Sequence, residues 1–213
     1  KAFSVSSHYD TAIFNWFNSG NEEMVFRHAA NGGRSLRYGE NPHQQAKFYG
    51  DLSAMFEQLN GKELSYNNLL DVDAAVALIA DFKETSFAII KHNNACGLAS
   101  RDSVVDAWNA ALAADPVSAF GGILVCNRNI DVNAALEITK IFFEVIIAPS
   151  YDPAALDILK QKQNRIILVQ KEVVLPNNQF RTLLNGVITQ EKDLRTESIA
   201  DMKPATTAVP TEQ

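Results

Sequence analysis

Apolar residues in the middle of the chain follow two patterns that alternate along the sequence. One pattern repeats every three or four residues, as one face of an α-helix does, and is formed by Leu69, Val72, Val76 and Ile79. The other is a short continuous apolar run, which is typical of a strand buried on both faces. Four such runs lie at residues 87–90, 123–125, 145–147 and 166–169.

Signals for the start of a helix separate these apolar runs. Ser103 precedes Asp106 by three residues, which predicts a helix N-terminus. Asp131 predicts a helix that continues to about Lys140. Asp152-Pro153 predicts another, because proline loses nothing at the first helical position. Helices between apolar strands predict an α/β fold with a largely parallel sheet covered on both faces.

The two ends of the chain differ from this middle part. Residues 8–17 have a helical pattern and precede the polar stretch 31–35, so we expect this helix to be the last element of another domain. Asn185-Gly186 lies between apolar pairs and predicts a tight hairpin, with a glycine kink in one long edge strand as the alternative. Apolar residues become sparse after Glu191, which indicates a linker or a frayed tail.

Composition narrows the class of protein. The chain has 213 residues, of which 46% are hydrophobic and 21% charged, so it can build a sizeable core in one or two domains. The net charge of −6 argues against broad nucleic-acid binding, which needs an excess of Lys and Arg. Local basic sites for phosphorylated small molecules remain compatible with it. The longest apolar runs are far shorter than the roughly 20 residues that span a bilayer.

Two features concern the compartment in which the protein works. The chain begins at Lys1 without an initiating Met or a basic-then-apolar leader, so we expect no secretion signal, and we expect position 1 not to be a biological start. Cys96 and Cys126 are too few for a disulfide framework, which favours a reducing cytoplasm. We expect both thiols to be small core residues rather than ligands or nucleophiles.

The first candidate for chemistry is the polar segment at residues 36–44, whose glycine and proline predict a loop. Arg37 offers a planar set of donors that suits a phosphate, and Tyr38 adds a hydroxyl group and a stacking surface. The alternative is a solvated turn in which Arg37 forms a surface ion pair.

The second candidate is Lys91-His92, which follows the apolar run 87–90 and is expected to precede a helix. That position is the carboxyl end of a strand, where open α/β sheets bind ligands. Formyl or acyl transfer needs a base for the attacking amine and a cation for the developing oxyanion, and these roles suit histidine and lysine. The alternative is a histidine that caps a turn beside a solvated lysine.

Two further candidates precede other strands. The stretch 118–122 ends in Gly121 and Gly122, which allow either a close approach of a ligand or a tight turn. Glu144 can accept hydrogen bonds from a ribose or an amine, with a surface carboxylate as the alternative. Neither His92 nor the two cysteines have the neighbours that a zinc deaminase needs, so the sequence predicts no zinc site. It also contains no P-loop and no dinucleotide fingerprint.

Four motifs occur together in the order found in a known family. They are Leu36-Arg37-Tyr38-Gly39 with Asn41-Pro42-His43-Gln44, Lys91-His92 closing with Gly97, Ser118-Ala119-Phe120-Gly121-Gly122, and Ile146-Ile147-Ala148-Pro149. On these residues, the chain resembles the bifunctional purine-biosynthesis proteins that join AICAR transformylase to IMP cyclohydrolase. The resemblance covers nearly the whole chain.

The resemblance implies a fold and a division into domains. Residues 1–35 are expected to contain the end of the cyclohydrolase domain and a linker. Residues 36–190 are expected to form the first transformylase subdomain, a cytidine-deaminase-like three-layer α/β/α fold without zinc. Residues 191–213 are expected to lead to a second subdomain outside this chain. Residues 1–213 alone are expected to be inactive.

The resemblance also implies a reaction. The family transfers a formyl group from 10-formyltetrahydrofolate, the cosubstrate, to the 5-amino group of AICAR, giving FAICAR. His92 matches the family's base, and Lys91 matches the lysine that stabilises the transition state. Arg37 and Tyr38 match residues that hold the nucleotide, and Gly121 and Glu144 fall at nucleotide-contact positions, although some members carry Asp instead of Glu at the last one.

The family's assembly is implied in the same way. We expect a cytoplasmic homodimer whose active site is shared across the interface, with no metal in this segment and with neither nucleic acid nor a membrane as partner. The alternative is a non-catalytic nucleotide-binding or dimerisation subdomain, in which Lys91-His92 has no chemical role.

Overall fold

The structure, a computed structural model, describes residues 1–20, 24–195 and 198–208. It divides into two units, one with residues 1–20 and 27–173, the other with residues 24–26, 174–195 and 198–208. The elements of the first unit are α1 (Ala2–Phe17), β1 (Arg34–Ser35), β2 (Lys47–Phe48), α2 (Leu52–Met55), β3 (Phe56–Asn60), α3 (Tyr66–Ile79), β4 (Ser86–Lys91), β5 (Asn94–Ser100), α4 (Val104–Ala114), β6 (Ile123–Cys126), α5 (Val132–Ile138), β7 (Val145–Ala148), α6 (Pro153–Lys160) and β8 (Ile166–Gln170). The second unit contains β9 (Asn178–Leu183), β10 (Gly186–Glu191) and a 3-10 turn at Ile199–Asp201.

Six strands of the first unit form one sheet in the order β3-β8-β7-β6-β4-β5. The four apolar runs predicted as strands are confirmed as β4, β6, β7 and β8. The expectation of a largely parallel sheet is wrong. Strands β6, β7 and β8 are parallel, but β4 is antiparallel to both β5 and β6, and β3 is antiparallel to β8. The sheet is therefore mixed.

Two strands that the apolar pattern does not reveal account for this difference. Lys91 pairs with Asn94, so β5 follows β4 after two residues and the connection is a hairpin instead of a crossover helix. Strands β3 and β5 lie at the two edges of the sheet and are only partly buried. Because neither strand needs two apolar faces, neither carries a continuous apolar run.

Helices α4, α5 and α6 cover one face of the sheet. Alternate strand residues, such as Phe87 and Ile89 of β4 and Leu124 of β6, form one apolar cluster with residues of these three helices. Trp108 of α4 is 1% exposed and meets Phe87 edge to face, with the ring centroids 5.1 Å apart. The main core of the protein therefore lies between the sheet and this helical layer.

Helix α3 lies on the opposite face, where it contacts β4 and β6. Its predicted stripe is confirmed, because Val72, Val76 and Ile79 are all buried. They pack apart from the cluster of the other face. Helices therefore flank the sheet on both sides, as the α/β prediction requires.

The predicted helix starts are confirmed. The Ser103 hydroxyl accepts a hydrogen bond from the Asp106 amide at 3.1 Å, and the Asp131 carboxylate accepts one from the Ala134 amide at 2.8 Å. Helix α5 ends at Ile138, slightly before the predicted end. Helix α6 begins with Pro153 as predicted.

Helix α1 begins at Ala2, earlier than the predicted residue 8, and ends at Phe17 as predicted. None of its described residues is buried, and Phe3, Tyr9 and Trp16 are among its exposed side chains. That this helix closes another domain stays a prediction. Within the segment 1–35, residues 21–23 lie outside the described residues.

Strands β9 and β10 form the predicted hairpin, so the alternative of one kinked strand is wrong. Leu183 pairs with Gly186, and the turn therefore consists of Leu184 and Asn185, one residue earlier than the Asn-Gly pattern indicates. The prediction of a linker from Glu191 onward includes residues 196–197 and 209–213, which lie outside the described residues. In the part of the chain that the structure describes, no helix is long and apolar enough to cross a membrane.

Candidate functional site

Because the strands run in mixed directions, several candidate residues meet at one end of the sheet, where the ends of neighbouring strands lie side by side. Ile123, the first residue of β6, pairs with both Ile90 near the end of β4 and Val145 at the start of β7. The carboxyl end of β4 therefore lies beside the amino ends of β6 and β7. This end of the sheet therefore holds Lys91 at the end of β4, the paired glycines before β6, and Glu144 just before β7.

The Lys91 side chain extends over this end of the sheet to the loop before β6. Its Nζ donates a hydrogen bond to the carbonyl oxygen of Phe120 at 2.9 Å. The ammonium group is therefore held next to the neighbouring Gly121. The expectation that Lys91 lies at the carboxyl end of a strand is confirmed, whereas the expectation that a helix follows is wrong, because β5 follows instead.

His92 and Asn93 form the turn between β4 and β5, with φ of 53° and 63°. Both residues are in the left-handed region, as the central residues of a type I′ turn are. The Asn93 amide donates to Asp71 Oδ1 at 2.7 Å, and the Asn94 side chain donates to the His92 carbonyl at 2.8 Å. The imidazole of His92 is exposed and forms no hydrogen bond with the described part of the chain, so it is available as a base.

At each of the two glycines before β6, a different structural feature disfavours a side chain. Gly121 has φ of 77°, which an L side chain rarely adopts, and its amide donates to the Phe142 carbonyl at 2.8 Å. A Cβ on Gly122 would lie 2.9 Å from the Ile90 carbonyl oxygen. The tight turn expected as one interpretation of these glycines is therefore present.

Glu144 is held at the start of β7 by two donors. Its Oε2 accepts a hydrogen bond from Asn68 Nδ2 at 3.2 Å and lies 3.4 Å from Lys62 Nζ. The Glu144 amide also donates to the Gly122 carbonyl at 3.1 Å. The Glu144 side chain is 35% exposed, so this carboxylate lies at the surface and is held there by Asn68 and Lys62.

Arg37 and Tyr38 line a pocket of about 570 Å³ that also contains Glu144. The Arg37 guanidinium carbon lies 5.7 Å from the centre of the Tyr38 ring. The predicted loop at residues 36–44 is confirmed, and the Gly39 amide closes it by donating to the Gln44 carbonyl at 2.8 Å. The pocket therefore combines guanidinium and phenol donors, which suit a phosphate, with a carboxylate, which can accept hydrogen bonds from hydroxyl or amine groups.

Three site residues escaped sequence reasoning. Asn68 is 6% exposed and forms a capping box with Ser65, whose hydroxyl accepts from the Asn68 amide at 3.1 Å. The spacing of these two residues was a readable helix-start signal. No local pattern indicates that Asn68 and Lys62 meet Glu144, or that Asp71 meets Asn93, because these partners are distant in the sequence.

The two thiols are not activated. Burial raises the pKa of Cys126 to about 11 and, with the nearby Asp115 carboxylate as a smaller cause, raises the pKa of Cys96. The expectation that both pack in the core is confirmed for Cys126, while Cys96 is half-buried against the core cluster. No group of three or more His, Cys, Asp or Glu side chains within residues 1–20, 24–195 and 198–208 is arranged to hold a metal ion.

Comparison with known proteins identifies relatives along the entire chain. Residues 1–213 match the family model described as AICARFT/IMPCHase bienzyme. Proteins named bifunctional purine biosynthesis protein PurH are similar to it. The one from Bacteroides thetaiotaomicron is 62% identical over 99% of this chain and 41% of its own length. The one from Rhodospirillum rubrum is 47% identical over 100% of this chain and 42% of its own length.

The matches cover nearly all of this chain but less than half of each relative. The chain spans about two-fifths of the length of these relatives. The family match, in contrast, covers every residue of the chain. The resemblance noted on four motifs is thereby confirmed, and the chain belongs to the AICARFT/IMPCHase bienzyme family.

Proposed function

We propose that the full-length protein containing this chain transfers a formyl group from 10-formyltetrahydrofolate to the 5-amino group of AICAR, giving FAICAR. The observation that carries the proposal is that Lys91-His92 and Glu144 lie at the same end of the sheet, beside the glycine loop before β6. IMP cyclohydrolase activity would belong to a domain on the amino-terminal side of this chain.

His92 would act as the general base. The AICAR amine is a weak nucleophile because its lone pair is delocalised into the ring and the carboxamide. As its nitrogen bonds to the formyl carbon, the amine loses a proton to the exposed imidazole. Histidine suits this step because its ordinary pKa lies nearest neutrality, and such a base contributes about 10²–10⁴-fold to the rate.

Lys91 would act on the other side of the same carbon. Attack converts the formyl carbonyl into an oxyanion, and the bond to the folate nitrogen then breaks as that nitrogen receives a proton. A lysine ammonium can stabilise the oxyanion and supply the proton. The hydrogen bond to the Phe120 carbonyl holds Lys91 Nζ in place, so this group needs little reorganisation when the charge develops.

Four other residues would hold the nucleotide. Arg37 and Tyr38 provide donors for the phosphate and a surface for the ring. Glu144 would accept hydrogen bonds from the ribose, and the Gly121 backbone would lie close to the ligand. The shared pocket of Arg37, Tyr38 and Glu144 supports this assignment.

The finer organisation belongs to the same proposal. Residues 36–190 would be a cytidine-deaminase-like subdomain without zinc, residues 1–35 the end of the cyclohydrolase domain with its linker, and residues 191–213 the linker to a second subdomain. The enzyme would work in the cytoplasm as a homodimer that shares its active site across the interface. Residues 1–213 alone would be inactive in both reactions.

The proposal is tested by replacing His92 with Ala in the full-length protein. We expect formyl transfer to fall by at least about 10²–10⁴-fold, whereas cyclohydrolase activity stays nearly intact. Equal loss of both activities in His92→Ala would contradict the assigned role and indicate misfolding.

One observation favours a second candidate, a nucleotide-binding subdomain without catalysis. The pocket of Arg37, Tyr38 and Glu144 is lined by neither Lys91 nor His92. Calorimetry with AICAR, together with turnover measured with AICAR and 10-formyltetrahydrofolate, separates the two functions when applied to the full-length protein, Lys91→Ala and His92→Ala. A binding module would bind AICAR without turnover in the unmodified protein, while the proposed enzyme turns AICAR over and loses turnover in both variants.

A further inference from the structure

The turn that carries His92 has a backbone conformation that needs support. His92 and Asn93 are both in the left-handed region, which costs a residue with a Cβ roughly 1–2 kcal/mol, although Asn adopts it more readily than most. The register of β4 and β5 also shifts between Ile89 and Ile90, directly before the turn. The pairs that flank the turn, Lys91 with Asn94 and Ile90 with Ala95, fix its register, while its left-handed backbone needs support from other contacts.

The support comes from Asp71 on helix α3. Its Oδ1 accepts the hydrogen bond of the Asn93 amide at 2.7 Å. An acceptor that carries a charge makes a stronger hydrogen bond than a neutral one. Asn94 also donates to the His92 carbonyl within the turn, and the Asn93 side chain, with its Nδ2 turned toward α3, donates to Asp71 Oδ1 at 3.0 Å and to the Leu70 carbonyl at 3.2 Å. Asp71 thus ties the backbone next to His92 to a separate element of the fold.

Helix α3 is itself tied to the nucleotide side of the site. Asn68 lies three residues before Asp71, and residues at this spacing are neighbours on one face of a helix. Asn68 donates to Glu144 Oε2 at 3.2 Å and is fixed by its capping box with Ser65. One face of α3 therefore contacts both the carboxylate before β7 and the turn after β4.

We infer that Asp71 is a positioning residue for His92: it holds the turn so that the imidazole stays at a set distance from the nucleotide side of the site. This inference rests on the proposed formyl transfer. Asp71 acts through the backbone of Asn93 and not on the substrate. Because a displacement of about 1 Å at a reacting group can reduce the rate about 10²-fold, loss of this hydrogen bond affects kcat more than KM.

The test compares Asp71→Ala, Asp71→Asn and Asp73→Ala in the full-length protein. Asp73 provides a matched control, since it is an exposed carboxylate on the same helix. We expect Asp71→Ala to lower kcat by about 10- to 100-fold with KM for AICAR changed less than about threefold. Asp71→Asn keeps an acceptor oxygen and is expected to restore part of kcat, while Asp73→Ala stays within about twofold of the unmodified protein.

A second measurement does not depend on activity. Hydrogen–deuterium exchange, followed by mass spectrometry, is expected to be faster at residues 91–95 in Asp71→Ala than in Asp73→Ala, with exchange of α3 unchanged. If Asp71→Ala does not fold, Asp71→Asn carries both measurements, with a smaller loss of kcat and smaller gain in exchange expected. Unchanged exchange at the turn, kcat equal to that of Asp73→Ala, or faster exchange throughout α3 would each overturn the inference.

The two proposals fail in different ways. If the unmodified full-length protein lacks formyl transfer, the proposed function is wrong, and with it the catalytic meaning of Asp71. The exchange comparison still decides whether Asp71 holds the turn. If the unmodified protein is active but Asp71→Ala resembles Asp73→Ala in kcat, only the inference about Asp71 is wrong.

Discussion

The described part of the chain contains two hairpins with two-residue turns, β4–β5 and β9–β10, and their surroundings differ sharply. Strand β4 is buried along all but its last residue, whereas every residue of β9 and β10 is exposed. Both turns place residues other than glycine in the left-handed region, at His92 and Asn93 in one hairpin and at Leu184 in the other. Left-handed residues other than glycine thus occur in two very different environments, two of them in the first turn and one in the second.

The difference indicates what each turn depends on. The β9–β10 turn includes the Asn of an Asn-Gly pair, a local sequence pattern that predicts a hairpin. The β4–β5 turn has no such signal and is fixed by a contact from Asp71 on another element. The turn of the candidate site is thus held by a contact from a distant element, while the exposed hairpin has a signal in its own residues.

The largest expected contrast concerns one glycine in each hairpin. A Cβ on Gly97 of β5 would overlap the backbone carbonyl of Ala111 in α4, whereas a Cβ on Gly186 of β10 would lie 3.9 Å from the Leu183 oxygen. Because backbone cannot move aside easily, Gly97→Ala is expected to lower the free energy of unfolding by about 3 kcal/mol or more. Gly186→Ala is expected to change it by less than about 0.5 kcal/mol.

Urea denaturation of the full-length variants, monitored by circular dichroism, measures both effects. Similar values for the two variants would mean that β5 and α4 can separate without cost. The close packing of this hairpin against its helix would then not distinguish it from the exposed one.

The second contrast is a dependence of stability on pH that arises from a buried thiol in the sheet. The Cys126 thiol at the end of β6 has a pKa raised by burial to about 11 from its ordinary 9.0. The folded state favours the neutral thiol, so its contribution is complete below pH 9 and is lost as the pH rises from 9 through 11. Full loss corresponds to about 2–3 kcal/mol.

Denaturant titrations between neutral and alkaline pH check this expectation. Cys126→Ala is expected to be less stable at neutral pH because it leaves a cavity, but its stability should fall less steeply over the alkaline range. An equally steep fall in this variant would show that other groups, such as the buried Tyr151 hydroxyl, whose pKa is also raised by burial, cause it.

The smallest expected effect is a gain in stability in the exposed hairpin. Leu184 has φ of 52° and is 99% exposed, so its side chain contributes little burial to compensate for its unfavourable backbone conformation. Leu184→Gly is expected to stabilise β9–β10 by up to about 1 kcal/mol, because glycine adopts this conformation freely.

Slower hydrogen exchange at residues 178–191 is the corresponding measurement, with exchange of residues 86–100 as the internal control. Faster exchange in Leu184→Gly would mean that the leucine side chain contributes more than its exposure indicates. The comparison between the two hairpins would then rest on the glycines alone.

Much of the fold was predictable because the signals are local. The buried strands β4, β6, β7 and β8 are continuous apolar runs, and helices α4, α5 and α6 begin at the residues expected from their N-terminal signals. The edge strands β3 and β5 were missed, since a strand at an edge needs no continuous apolar run. Without them the sheet seemed largely parallel.

The candidate site divides in the same way. Arg37, Tyr38, Lys91, His92 and Glu144 were singled out from residue type, position and resemblance. Their surroundings were not, because each partner comes from a distant part of the chain. Asn68 meets Glu144 and the Phe120 carbonyl meets Lys91 only after the sheet has formed.

The sequence by itself determined the buried strands and the starts of α4, α5 and α6, the chemistry of the candidate residues and the family to which the chain belongs. Each of these depends on residue types at short spacing or on ordered motifs. Only the tertiary structure decided the direction of β4, and with it the end of the sheet at which the candidate residues meet. Strand direction depends on which strands pair, and pairing is selected by the packing of the whole sheet and its helices rather than by any short stretch of residues.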